Sequence, residues 1–206
     1  GSLTMRGNTT DGREFALLSV EEGISENDKN SITIKSWDNT GNSIQYGTFK
    51  AAKNGAIIVD ALTSAGTLTL GNASNAALQF NFELNGGTVD FLKTNSIISL
   101  NNGSVTGSGE FLGNLLLTRG AAGSGRVVVE NGDDQTITNL TTATNGGQIT
   151  VTGGASAATL TVTEKLAINN ANDAVTVRST GSGKATLNVG KELSMGTGTT
   201  LAIGTN

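Results

Sequence analysis

Apolar residues in this chain recur in pairs two positions apart, and the pairs themselves recur. Ala158-Thr159-Leu160-Thr161-Val162 is answered by Ala185-Thr186-Leu187-Asn188-Val189. Leu166 and Ile168 are answered at the same offset by Leu193 and Met195, and Val175 and Val177 at an offset shorter by one by Leu201 and Ile203. Residues two apart point to one side of a β-strand. Each repeat is therefore three short strands, and a three-strand unit recurring at a nearly constant offset predicts a β-solenoid. The expected fold is all-β: a right-handed, three-sided parallel β-helix.

The same beat continues upstream with looser spacing. First-strand pairs are expected at Leu68/Leu70, Ile98/Leu100 and Val127/Val129, second strands near Leu78/Phe80, Phe111 and Ile137, and third strands at Val89/Phe91, Leu115/Leu117 and Ile149/Val151. An earlier coil is read from Ile32/Ile34, Ile44/Tyr46 and Ile57/Val59. Together these make about six coils, a rod roughly 30 Å long at the ~4.8 Å spacing of paired strands. Asn85-Gly86-Gly87, Asn101-Asn102-Gly103, Asn131-Gly132, Asn145-Gly146-Gly147 and Gly153-Gly154 fall between strand candidates. Asn and Gly accept positive φ, which makes sharp corners inexpensive. Asn-Gly also signals hairpins, so an antiparallel meander is the rival. A meander gives no reason for three unequal strands to repeat in one phase.

Residues 1–50 are read as a less regular N-terminal coil or cap with a polar loop at 21–30, and residues 51–206 as the regular coils. Phe15-Ala16-Leu17-Leu18-Ser19-Val20 suits a strand or a short helix, because so short a run does not separate the two. The single Trp, Trp37, and the single Tyr, Tyr46, lie in this quarter. They belong either to an irregular covering coil or to a binding loop with an aromatic anchor. Gly1-Ser2 has the look of a cloning remnant, and the chain is expected to be a piece of a longer protein.

Composition changes this picture mainly by subtraction. Gly numbers 29, Pro, Cys and His are absent, and aromatic residues make up 4%. A composition this polar is also that of disordered chains, but the sustained i, i+2 apolar pairs argue for a packed core. Without His or Cys the commonest general base, most nucleophile pairings and most zinc sites are removed. A net charge of −4 disfavours nucleic acid as a partner, and no run of about 18 apolar residues predicts membrane insertion.

Near-motifs fail on their spacing. Gly181-Ser182-Gly183-Lys184 is followed by Ala185 where a phosphate loop needs Ser or Thr, and Gly107-Ser108-Gly109-Glu110-Phe111-Leu112-Gly113 has its third Gly one place late for a dinucleotide turn. Asp38-Asn39-Thr40-Gly41-Asn42 opens like an EF-hand loop, but Phe49 stands where the closing Glu belongs. The carboxylates Glu83, Asp90, Glu110, Glu130, Glu164, Asp173 and Glu192 are scattered. Glu164-Lys165 and Lys191-Glu192 occupy equivalent corners of neighbouring coils in reversed order, predicting exposed inter-coil ion pairs. No catalytic, cofactor-binding or metal-ligating residue is singled out, no cofactor is expected, and the chain is not expected to be an enzyme.

The run from Ala185 through Leu193 and Met195 to Ile203, with Gly66-Thr67-Leu68-Thr69-Leu70-Gly71 and Gly86-Gly87-Thr88-Val89-Asp90-Phe91, resembles passenger-domain repeats of Gram-negative type V autotransporters. The resemblance covers roughly residues 55–206. It implies export to the bacterial cell surface or the extracellular space, which the lack of Cys suits, and a role in adhesion, aggregation or self-association. Neither a Gly-Asp-Ser-Gly protease motif nor an Arg-Gly-Asp tripeptide is present; Arg119-Gly120-Ala121 is not one. The expected function is thus a non-catalytic adhesin segment acting through an extended face on another copy or on a host protein or glycan. The alternatives are a structural shaft of a surface layer, appendage or phage fibre and, behind it, a polysaccharide-processing β-helix enzyme.

Overall fold

The structure is a computed structural model that describes residues 16–25, 30–37, 44–64, 66–143, 145–169 and 174–205. A partial turn comes first, with β1 (Ala16–Val20) and β2 (Asn30–Ile34). The next turn is β3 (Gly47–Ala51), β4 (Gly55–Val59) and β5 (Thr67–Leu70). After it come β6 (Phe80–Glu83), β7 (Thr88–Asp90) and β8 (Ile97–Leu100). In the following three turns one strand bends across two faces. These are β9 (Gly103–Thr106) with β10 (Gly109–Leu117), β11 (Gly125–Glu130) with β12 (Asp134–Thr142), and β13 (Gln148–Gly153) with β14 (Ala158–Ile168). The last full turn is β15 (Ala174–Ser179), β16 (Ala185–Val189) and β17 (Glu192–Met195), and β18 (Thr200–Thr205) opens another.

Every strand pairs in parallel with its counterpart one turn away. One face is the eight-stranded sheet β1-β3-β6-β9-β11-β13-β15-β18. The other two share a ten-stranded sheet in which β10, β12 and β14 cross the edge between faces. The chain is thus a three-sided parallel β-solenoid of six full turns, as the repeat predicts. Over the last fifty residues the predicted partners are the observed ones: Leu160 faces Leu187, Leu166 faces Leu193, and Val175 faces Leu201.

Upstream the phase differs from the sequence reading. Leu68/Leu70 and Ile98/Leu100 lie on the third face and Val127/Val129 on the first, whereas Leu160/Val162 lie on the second. The physical reason is corner length. The chain takes nine residues from Leu70 to Phe80 but only two from Leu100 to Gly103, so counting from one pair to the next slips a face. Phe15–Val20 also resolves: Ala16–Val20 is a strand paired with β3. The Asp38–Asn42 sequence lies outside the described residues.

The core is built as columns of stacked side chains. On the third face Leu68, Ile98, Leu115, Leu140, Leu166 and Leu193 follow one another turn by turn. On the first face Leu18, Phe49, Phe82, Val105, Val127, Ile149, Val175 and Leu201 do the same. Aromatic rings fill the N-terminal half. Phe82 lies 5.1 Å from Phe111, 5.3 Å from Phe80 and 5.9 Å from Phe49 between ring centroids. Trp37 is buried against Phe49 at 5.5 Å, so it belongs to the core and cannot anchor a ligand at the surface. Close approach of turns sets the glycines: a Cβ on Gly125 would stand 2.1 Å from the Leu100 carbonyl oxygen.

Candidate functional site

The three outer faces carry rows of short polar side chains, because each outward position stacks on its copy one turn away. On the first face one row runs Thr48, Asn81, Ser104, Arg126, Gln148, and a second runs Lys50, Glu83, Thr106, Val128, Thr150, Thr176. Neighbours in a row bond to one another. The Ser104 N–H and hydroxyl both donate to Asn81 Oδ1, at 3.1 and 3.2 Å. On the third face Asn139 Nδ2 donates to Asn114 Oδ1 at 3.0 Å.

The carboxylates singled out in the sequence are dispersed among these rows and corners. Lys165 pairs with Glu192 at 2.7 Å and Lys191 with Glu164 at 2.6 Å, the crossed ion pairs expected from the reversed sign order. Exposed as they are, such pairs contribute on the order of 0–1 kcal/mol each. Glu83 stands 3.8 Å from Lys50, Glu110 accepts from the Thr88 hydroxyl, and Asp90 accepts from the Leu92 N–H. Asp173 lies outside the described residues. Asp60 is bridged by Lys35 at 2.9 Å and Lys93 at 3.0 Å, which joins three successive turns. Hydrogen bonds from these two ammonium groups hold its carboxyl below the usual aspartate range. No group of three metal-capable side chains forms among the described residues. Gly181–Lys184 is a corner: the Gly183 N–H donates to the Gly154 carbonyl at 2.7 Å and the Ser182 hydroxyl to Ala155 at 3.3 Å.

One concavity beside the first face is a feature that sequence reasoning missed. Two long corners, residues 71–79 and 118–124, project beside the first face. The corner between them, Asn101-Asn102, is short, so the two long ones meet across it: the Ala122 N–H donates to the Ala73 carbonyl at 3.0 Å. Asn102 lies beneath them, only 2% exposed, and its Nδ2 donates to the carbonyls of Asn75 (2.9 Å) and Leu78 (3.1 Å). Gly123 rests on this amide so closely that a Cβ there would lie 2.4 Å from Asn102 Cγ. Loop 118–124 is closed on itself by Gly120 N–H to Gly123 carbonyl (2.8 Å) and Gly125 N–H to Thr118 carbonyl (2.7 Å). From the next turn Asn145 Nδ2 donates to the Arg119 carbonyl.

These parts enclose a cavity of about 320 Å³ whose lining includes Arg119, Arg126, Gln79, Gln148, Asn102 and Ser124. Among the described residues no Asp or Glu lines it. Arg126 extends from the first face between Ser104 and Gln148, and its Nε is enclosed with no hydrogen-bond partner among the described residues. Neither arginine is in a salt bridge among the described residues. A second groove of about 280 Å³ on the third face, lined by Ile97, Leu116, Asn114, Asn139 and Lys165, is more apolar.

At the far end β16 and β17 have no strand on their outer side among the described residues. Leu193, Met195 and Ile203 are 47%, 44% and 76% exposed. No protein-family model, no curated protein and no solved structure matches this chain.

Proposed function

We propose that the chain is a recognition segment of a bacterial surface adhesin: a rod, exposed on the cell surface or secreted, that holds a binding surface along its side and performs no chemistry itself. The observation that carries the reading is the arginine-lined cavity, built on a rigid stack and edged by two mutually bonded corners. Binding constellations on loops held by a stiff scaffold are the usual way a structural fold acquires recognition. The lining favours binding over hydrolysis, since glycoside hydrolysis uses carboxylates flanking the bond and the described lining of this cavity carries arginine, amide and hydroxyl residues instead. Rows of Thr, Asn and Ser on the outer faces suit contact with a hydrated surface, such as a host glycan or glycoprotein. The style of the repeats, similar to autotransporter passengers, points to the same compartment.

The regular parallel stacking of turn on turn favours a second reading, in which the rod associates with another copy or serves as a shaft within a surface structure. One screen separates the two readings. Immobilised protein is exposed to host glycans, matrix proteins and soluble copies of itself. The adhesin reading expects a glycan or glycoprotein to be retained with the self-interaction at background, and retention of the protein alone would replace it with the shaft. Shortening of any polysaccharide during incubation would contradict the non-catalytic role.

A further inference from the structure

We infer that the cavity between corners 71–79 and 118–124 is a binding site for a single acidic sugar residue, one bearing a carboxylate or a sulfate ester, with Arg126 and Arg119 receiving the anion. The inference rests on the recognition reading above only for the ligand being a saccharide; the anion site follows from the cavity itself.

Three observations carry it. The first is charge without a counter-charge. Two arginines line one cavity, and among the described residues no carboxylate lines it and neither arginine has an ion-pair partner. In a chain of net charge −4, such a pair attracts an external anion. A guanidinium presents its donors in a fixed fork that matches carboxylate and sulfate oxygens. The second is the enclosed Arg126 Nε, which has no partner among the described residues. Leaving a charged donor enclosed and unsatisfied is costly, and an oxyanion at the guanidinium edge satisfies it. The third is the rest of the wall. The amides of Gln79 and Gln148 and the hydroxyl of Ser124 offer both donors and acceptors. Gln79 Nε2 donates to the Ala76 carbonyl, which leaves its oxygen available, and Gln148 makes no side-chain hydrogen bond among the described residues. That mixture suits ring hydroxyls, which both donate and accept.

Size narrows the choice. About 320 Å³ is at the low end of the ~300–1,000 Å³ range of ligand pockets, enough for one ring and not for an oligomer within the walls. Among the described residues no aromatic side chain lines the cavity, so they offer neither stacking on a nucleobase nor an apolar anchor. Preorganisation is supplied by Asn102 below and by Asn145 from the following turn, which fix the two corners before any ligand arrives.

The test is a two-dimensional NMR titration of the whole chain with sodium glucuronate, glucose 6-sulfate, glucose and sodium sulfate, repeated with Arg126→Gln, Arg119→Gln and Arg178→Gln. For a ligand of this size a dissociation constant on the order of 1 mM is expected. The expected result is shifts confined to 73–79, 102 and 119–126 with one of the two acidic sugars, at least tenfold weaker binding of glucose, and at least tenfold weakening by Arg126→Gln. Arg178→Gln, on the same face but away from the cavity, should bind as the parent chain does. Which acidic sugar binds tells carboxylate from sulfate. Equal binding of inorganic sulfate would overturn the sugar assignment, and absence of localised shifts with any anion would overturn the site. Arg126→Gln is checked by its amide spectrum and, should it misfold, Arg119→Gln with the salt dependence of glucuronate binding replaces it; affinity unchanged in that variant and between low and high salt would overturn the inference. Failure of the protein to adhere to cells while glucuronate binds would sink the adhesin reading and leave this one standing.

Discussion

Leu160 and Leu187 are chemically the same residue at the same position of neighbouring turns, in direct register across β14 and β16. They differ in one respect: a turn stacks on both sides of Leu160, which is fully buried, whereas among the described residues none stacks beyond Leu187, which is half-buried. Truncation to Ala removes three carbons in each case. At about 0.8 kcal/mol per buried carbon the transfer loss at Leu160 is about 2.4 kcal/mol. A cavity left between its register partners Gln135 and Leu187 adds to it, for a total of about 3–4 kcal/mol, within the range of buried Leu→Ala changes. At Leu187 roughly half the transfer term is lost and no closed cavity forms, so the cost is about 1 kcal/mol. Because a solenoid is stabilised turn against turn, the effect of Leu187→Ala is also concentrated in the last turn. Urea unfolding followed by circular dichroism measures the first difference, and native-state hydrogen exchange at the amides of β14 and β16 measures the second. Losses that agree to within about 0.5 kcal/mol, the spread of substitutions that touch nothing special, would refute the open end. Light scattering at the same concentration would then be expected to show a second copy covering it.

Three further outcomes follow from other parts of the stack. Gly125→Ala drives a Cβ to 2.1 Å from the Leu100 carbonyl, so thermal melting should show a loss of at least ~2 kcal/mol by overpacking, and a change under ~0.5 kcal/mol contradicts the turn spacing. Asn102→Ala leaves the carbonyls of Asn75 and Leu78 without their buried donor; the expected loss is about 1–3 kcal/mol, with faster amide exchange across 71–79, and unchanged exchange there would contradict Asn102 as the support of the cavity. The depressed Asp60 carboxyl stabilises the folded chain above the usual aspartate value of about 3.9. That contribution is lost as pH falls through the lower folded value and Lys35 and Lys93 are released. A carboxyl NMR titration of Asp60 with a midpoint at or above about 3.9 contradicts the bridge.

The C-terminal turns were legible because their corners have nearly constant length: Leu160 to Leu187, Leu166 to Leu193 and Val175 to Leu201 could be paired by counting alone. The N-terminal turns were legible as strands but not in phase. Spacing pairs Leu68 with Ile98, but only contact assigns Leu115 to their column. The crossed pairs at Glu164/Lys191 and Lys165/Glu192 were readable for the same reason as the register: reversed charges at equal offsets must meet across one turn. The cavity was not readable. It depends on two long corners, two turns apart, closing over a short one, and Arg119 and Arg126 come together only because loop 118–124 folds back on the first face. A usable signal existed in retrospect: Arg126 is the single charged residue in an outward row of Thr48, Asn81, Ser104 and Gln148.

The most direct test of the account is adhesion itself. Beads coated with the chain are applied to host cells under flow, with bare beads, beads carrying Arg126→Gln, and soluble chain as competitor. An adhesin segment gives capture of coated beads, inhibition by the soluble chain, and a marked loss with Arg126→Gln while the fold is retained. Capture no greater than that of bare beads, or capture indifferent to the arginine and to the competitor, would contradict it.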